Sequence, residues 1–265
     1  MATTDRASSG DRATYQIRAL DRGLDILEAF TLADPELTIG QIGERTSLPK
    51  PTVVRLLSVL GERGYVERIA GAERYRLGVR TLEVGSVFLL STSLEAEARP
   101  IMRKLADATG QTANLGMLHD WQVVHIEVVA PDRPVRFWAM IGKREDAYVS
   151  GLGKVLLAAL PESDRESYLS RPLPAVTPTT ITDPDQLREE LIVTAERGYA
   201  IDNEESNAGV ICIAAPIRNG KGGIEAAVSI SGPRAEFDAD GQMARLTDLV
   251  RGAASDISAR LGWSG

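Results

Sequence analysis

Between Arg18 and Leu77 the spacing of apolar positions changes three times. In "IRALDRGLDILEAF", Leu20, Leu24 and Leu27 recur at helical intervals and Ile26 and Phe30 widen the stripe, which predicts a first helix. "DPE" breaks it, and Thr38 is placed to cap a short second helix, "IGQIGERT". "TSLPKP" reads as a turn, with Pro51 suited to the first position of a third helix running to about Arg63. On that helix Val53, Val54, Leu57 and Leu60 share one side and form the expected core stripe. Thr52, Arg55 and Val59 share the other side, where a plain packed helix would carry a long charged face. After Gly64 the period falls to two, and "YVERI", "AGAE" and "RYRL" read as a hairpin.

The pattern then changes character. "VRTLEVGSVFLLSTS" is apolar nearly all round a helix, through Val79, Leu82, Val84, Val87, Phe88, Leu89 and Leu90. Such a helix must be covered on several sides, either by the same helix of a second subunit or by its own core. A helix over Leu94–Thr109 carries Pro100, where a kink is expected. "TANLGML" and "VVHIEVV" flank "HDWQ" as a hairpin, and "VRFWAMI" reads as a third strand. Helices follow at "GLGKVLLAAL" and "DQLREELIVTAERG". "ICIAAPIR" and "GIEAAVSIS" flank a four-residue loop, "NGKG", as a second hairpin, and a last helix spans about Ala239–Leu261. Strands mixed with helices, without regular βαβ alternation, predict an α+β domain on an antiparallel sheet.

Charge sharpens the division. The chain has a net charge of −7, but residues 45–80 hold eight basic and three acidic residues. A local basic surface is what phosphate contacts require, whatever the total charge. Two short helices with a tight turn, then a basic hairpin, describe a winged helix-turn-helix. Arg55 and Thr52 are placed to reach base edges, and Lys50, Arg68, Arg74 and Arg76 to meet phosphates. The competing reading is a small helical domain whose hairpin binds protein. No run of 18 apolar residues is present, so no membrane span is expected. The polar start "MATTDRASSGDRATYQ" lacks a signal-peptide core and reads as a disordered arm. A single cysteine, Cys212, forbids an internal disulfide and suits a reducing, cytoplasmic setting.

Candidate chemistry is sparse. "SGLGK" fails as a phosphate loop, because Tyr148 stands where its first glycine belongs and Val155 follows Lys154. It reads instead as a helix start capped by Ser150, leaving the amides of Gly151 and Leu152 open to an anion. The alternative is that the glycines only permit tight packing. Cys212 sits in an apolar strand, and the two histidines, His119 and His125, lie in another hairpin without an evident orienting partner. Neither catalysis nor a metal or cofactor site is expected. "DNEES" clusters carboxylates just before the Cys212 strand, and Ser229 and Ser231 alternate on one strand face. Pairing Arg218 with Gly223 across the loop would set Cys212 opposite Ser229.

"ALDRGLDILEAF", "LTIGQIGERTSLPKPTVVRLLSVLGERGYVER" and "RYRLGVRTLEVG" resemble the N-terminal part of the IclR family of bacterial transcriptional regulators. "YVSGLGKVLLAALP", "RGYAIDNEESNAGVICIAAPI" and "AAVSISGP" resemble its C-terminal part, in family order over about residues 17–262. The resemblance implies a non-enzymatic, ligand-responsive regulator of a catabolic operon. Its expected parts are a winged helix-turn-helix over 16–78, a linker helix over 79–93, and a GAF/profilin-like effector-binding domain over 94–265, after an N-terminal arm over 1–15. It implies homodimers that often pair into tetramers on double-stranded DNA operators. It also implies a small carboxylate effector held by residues matching Gly151, Leu152, Asp202, Cys212, Ser229 and Ser231. A hydroxy acid or a hydroxylated aromatic acid would suit Asp202, which repels an anion unless it is protonated or accepts from a ligand hydroxyl. One departure is visible: Ser47 stands at a turn position that is often glycine in the family. An enzyme with a GAF-like domain and a protein-binding module, and a structural DNA-packaging protein, are the alternatives. The first lacks a nucleophile–base pair and the second conflicts with the acidic C-terminal region.

Overall fold

A computed structural model of the chain describes residues 17–91, 93–133, 139–239 and 241–264, and the expected N-terminal arm lies outside them. The chain divides after Phe88 into two compact units. That division falls within the linker helix expected over 79–93.

In the first unit, α1 (Arg18–Glu28) leads through β1 (Glu36–Thr38) to α2 (Ile39–Thr46) and α3 (Lys50–Glu62). Strands β2 (Val66–Arg68) and β3 (Arg74–Leu77) follow, then α4 (Val79–Ser91). Thr38 caps α2 in a full capping box: its hydroxyl accepts from the Gln41 amide, and the Gln41 side chain accepts from the Thr38 amide. Ile26, Phe30, Leu37, Ile42, Val53, Leu57 and Val66 form the core. Two expectations fail here. Leu20 and Leu24 are 57% and 47% exposed, and Val54 is 45% exposed, because Ile26 and the Val53/Leu57 pair point inward instead. On helices this short, one step of about 100° separates core from solvent, so an apolar residue at the stripe's edge goes either way. Strand β1 was not expected. It joins the wing as an edge strand, giving the order β1-β3-β2.

Ser47 closes α2 in the left-handed conformation, φ 55° and ψ 29°. A side chain there is disfavoured, whereas glycine adopts it freely. Ser47→Gly is therefore expected to stabilise this unit by about 1 kcal/mol, seen as a raised urea midpoint at unchanged slope.

The second unit is built on α5 (Ser93–Thr109), β4 (Thr112–His119), β5 (Gln122–Val129), β6 (Arg144–Asp146), α6 (Gly151–Ala158) and α7 (Glu162–Leu169). It continues with α8 (Pro184–Arg197), β7 (Ala200–Asn203), β8 (Val210–Arg218), β9 (Ile224–Pro233) and α9 (Gln242–Arg260). The sheet is antiparallel throughout, in the order β6-β5-β4-β9-β8-β7. Alternate residues Ile211, Ile213, Ala215 and Ile217 of β8, with Val228 and Ile230 of β9, pack against α5 and α9. The opposite face meets α6, α7 and α8 through Ala214, Ala227, Leu152, Leu156, Leu169 and Leu187. Of the third strand expected at "VRFWAMI", residues 135–138 lie outside the described residues and 139–141 belong to no strand. The edge strand is β6, a few residues later.

The β8–β9 register also differs from expectation. Arg218 pairs with Ile224 at the loop, and a bulge at Ile217/Arg218 then sets Cys212 opposite Ser231, with Ser229 opposite Ala214. Because the displacement is two residues, Cys212, Ser229 and Ser231 still share one face. No helix among the described residues is long and apolar enough to cross a membrane.

Candidate functional site

The first unit presents α3 and the wing to solvent. Pro51, Val54, Arg55, Ser58 and Val59 form the exposed strip of α3, and Thr52 is half-buried at its edge. The basic residues separate into two groups. Among the described residues no hydrogen bond or ion pair engages the side chains of Lys50, Arg55 or Arg68. The wing residues are committed: Arg76 Nε lies 2.5 Å from Glu67 Oε1 on the neighbouring strand, and Arg74 Nη1 donates to the Glu36 carbonyl at 3.1 Å. Arg45 is likewise structural, donating to the Ala29 carbonyl and pairing with Asp34. Val54 is the residue sequence reasoning put on the wrong face. A helical position flanked by Val53 and Leu57 gives no local sign that it points outward.

In the second unit a small cavity of ≈ 20 Å³ opens where the N-terminus of α6 meets the sheet. Its lining holds Ser150, Leu152, Asp202, Cys212, Ser229 and Ser231. Gly151 stands against it, since a Cβ there would sit 3.2 Å from Cys212 Sγ. Ser150 caps the helix, accepting from the Gly153 amide at 3.1 Å. The amides of Gly151 and Leu152 precede the first intrahelical bond, at the positive end of the helix dipole. The glycines also serve packing: a Cβ on Gly153 would fall 2.0 Å from the Ala147 carbonyl oxygen. Asn114 orients the two serines, its Nδ2 lying 3.4 Å from Ser229 Oγ and 3.2 Å from Ser231 Oγ.

Asp202 is buried on β7. Its carboxylate accepts from the Glu205 amide at 2.7 Å and from Ser206 Oγ at 2.5 Å. Burial pushes its pKa up to about 6, and the nearby Glu205 charge adds to this, against the lowering effect of the Ser206 hydroxyl. Burial likewise pushes the Cys212 thiol up to about 12, so it is a neutral, weak hydrogen-bonding group and no thiolate nucleophile.

The cavity gathers residues the sequence did not assign to this site: His125, Lys143, Glu145 and Ser206. His125 does have an orienting partner, contrary to expectation. Its Nε2 lies 3.2 Å from Glu145 Oε1, and Lys143 Nζ lies 3.1 Å from Glu145 Oε2. Burial alone would raise Glu145, but His125 and Lys143 outweigh it and hold the carboxyl at about 2. Twenty residues separate His125 from Glu145, and only the β5–β6 pairing brings them together.

Residues 19–70 match the family model of the IclR helix-turn-helix domain, and residues 87–259 match that of the bacterial transcriptional regulator IclR C-terminal domain. The chain belongs to the IclR family. It is 37% identical over 243 residues to the HTH-type transcriptional regulator BhcR of Paracoccus denitrificans, covering 91% of this chain and 86% of that one. It is 33% identical to the acetate operon repressor of Salmonella typhimurium, covering 94% and 92% of the two chains. Among solved structures it resembles an IclR homolog from Microbacterium hydrocarbonoxydans complexed with 4-hydroxybenzoate, with TM-score 0.81 and 30% identity over 92% of this chain and 98% of that one. These IclR relatives are transcriptional regulators and repressors, and their family architecture joins a DNA-binding helix-turn-helix to an effector-binding C-terminal domain. The protein is a transcriptional regulator of that type, with an α+β fold. The IclR architecture gives the two units distinct tasks, DNA binding for the helix-turn-helix unit and effector binding for the C-terminal unit.

Proposed function

We propose that this regulator acts in the cytoplasm on a catabolic operon and takes as effector a small carboxylic acid carrying a hydroxyl group. The cavity at the N-terminus of α6 is the observation that carries the reading. It combines the Gly151 and Leu152 amides, which make no hydrogen bond among the described residues, the Ser229 and Ser231 hydroxyls, and an Asp202 carboxyl that is readily neutralised. Amides and hydroxyls suit a carboxylate, and a protonated Asp202 no longer repels one. The 4-hydroxybenzoate complex of the Microbacterium relative supports the same class of ligand. A cavity of ≈ 20 Å³ admits little more than one water, so binding an acid selects a more open state. Through that differential affinity the effector shifts the regulator between its DNA-binding states.

Calorimetric titration with glycolate and 4-hydroxybenzoate tests the site. Ser229→Ala is expected to weaken binding by about 1.5–3 kcal/mol, the usual worth of a hydrogen bond to a charged group. Asp202→Ala is expected to change affinity as well, and wild-type affinity is expected to rise as the pH falls from 7 toward 6, because the raised carboxyl of Asp202 takes up its proton in that interval. Unchanged affinity in both variants would remove the site, and a purely cationic or apolar effector would remove the carboxylate.

On the DNA side, Arg55 and Thr52 read base edges in the major groove and Lys50, Arg68, Arg74 and Arg76 contact phosphates. Val54, exposed beside Arg55, offers apolar surface to a thymine methyl. Assembly follows from α4, whose Val79, Leu82, Val84 and Val87 are 51–68% exposed within one chain. An exposed apolar stripe of this extent marks an interaction surface, and a homodimer through paired α4 helices, able to pair further into a tetramer, covers it. A two-fold dimer implies a pseudo-palindromic operator. Glutamates at Leu82 and Val87 are expected to shift sedimentation toward the monomer at micromolar concentration. Undiminished dimerisation would place the interface elsewhere.

A further inference from the structure

We propose that His125 is an effector-reading residue whose Nδ1 accepts a hydrogen bond from the ligand's hydroxyl, with Glu145 and Lys143 positioning it. The inference rests on the reading of the α6 cavity as the effector site and adds the group that recognises the ligand beyond its carboxylate.

Three observations lead there. His125 is only 4% exposed and lines the same cavity as Asp202, Ser229 and Ser231. Its Nε2 is committed to Glu145 at 3.2 Å, and Lys143 secures the other oxygen of that carboxylate. Its Nδ1 is buried and has no hydrogen-bond partner among the described residues. A buried polar atom without a partner is rare in a folded protein and calls for an explanation. The hydrogen bond made by one ring nitrogen fixes the role of the other. Glu145 is a strong acceptor, so Nε2 carries the proton and donates to it. In that tautomer Nδ1 offers a bare lone pair. A lone pair recognises a donor and does not recognise a second carboxylate. The ligand class is accordingly a monocarboxylate with a hydroxyl, in preference to a dicarboxylate or a plain acid. The arrangement parallels metal sites, where an outer carboxylate orients an imidazole so that its other nitrogen is presented correctly.

Nitrogen-15 NMR of the imidazoles in the full chain gives a direct reading. The protein has two histidines, and the exposed His119 serves as an internal reference. The probes are glycolate and acetate, 4-hydroxybenzoate and benzoate, and phenol, which has a hydroxyl and no carboxylate. In the free protein the His125 signals are expected to report a proton on Nε2. A hydroxylated acid is expected to move the Nδ1 signal as it becomes an acceptor, to bind about ten-fold tighter than its hydroxyl-free partner, and to lose that preference in His125→Phe. The wild-type spectra decide the matter even if that variant folds poorly. If the acids bind while Nδ1 does not move, the proposal falls and the carboxylate reading of the cavity stands. Protonation of Nδ1 on binding would also overturn it, because the contact would then be to an anion. If no acid binds but phenol moves Nδ1, the carboxylate reading falls and His125 stands. If no probe moves Nδ1, the proposal falls.

Discussion

Replacing Arg55 with alanine is expected to weaken operator binding by about 1–3 kcal/mol and to relax sequence preference at one base position in each half-site. The expectation follows from position and from freedom. Arg55 is exposed at the centre of the outward strip of α3, and among the described residues nothing in its own chain holds its guanidinium. A guanidinium free to lie in the groove can meet a guanine edge with two parallel hydrogen bonds, which lysine cannot reproduce. Lys50 and Arg68 are equally uncommitted but stand at the ends of the reading surface. Their loss is expected to weaken binding to all sequences and to lower the slope of log K against log salt by about 1 each. Arg76 differs, because Glu67 already neutralises it across the wing. Arg76→Ala is expected to change the salt slope less than Arg68→Ala, and Glu67→Gln to raise affinity. Fluorescence anisotropy on the operator at several salt concentrations checks the series. Wild-type affinity in Arg55→Ala would show that α3 does not read bases through this residue.

Replacing Lys154 with methionine is expected to destabilise the effector unit by about 3–5 kcal/mol, the usual effect of removing one partner of a buried ion pair. Lys154 is 1% exposed, and its Nζ donates to Glu205 Oε1 at 2.6 Å and to the Ile201 carbonyl at 2.5 Å. Without it Glu205 is left as an unpaired charge, itself buried, with Oε2 already lacking a partner among the described residues. The loss is expected to come mainly from that stranded carboxylate. Lys154→Met combined with Glu205→Met is therefore expected to recover most of the stability, as paired replacements of buried ions often do. Urea unfolding of the single and double variants measures both. A double variant as unstable as the single one would point to lost packing instead of an unpaired charge. Lys154 also explains the "SGLGK" segment. Its lysine is turned into the domain to tie α6 to β7, and the glycine before it lets α6 pass close to Ala147.

Much of the architecture is readable from the chain alone, and the legible parts share a physical basis. The caps read from the sequence, Thr38 on α2 and Ser150 on α6, each accept from a backbone amide three residues ahead. The β4–β5 hairpin turns at Asp120 and Trp121, both with positive φ, although neither is glycine. Apolar alternation on either side was enough to reveal it. In each case the atoms that interact are brought together by the local backbone path, so residue spacing determines the outcome.

Tertiary structure decided the rest. The β8–β9 register lies two residues from the expected one, one residue set at the loop, where Arg218 pairs with Ile224, and one by the bulge at Ile217/Arg218, and no turn residue announces it. Val54, Leu20 and Leu24 point outward because packing of neighbouring helices selects one edge of an apolar stripe. Arg76 is held by Glu67, His125 by Glu145, and Lys154 by Glu205, across separations of 9, 20 and 51 residues. The sequence by itself determined most of the elements, the Thr38 and Ser150 caps, the family and the serine, aspartate and helix-start residues that meet at the cavity. Which cations stay without a partner among the described residues, and which histidine nitrogen is left without one, were fixed only by strand register and helix packing. Those contacts join residues distant along the chain, and their pairing is set by the whole fold.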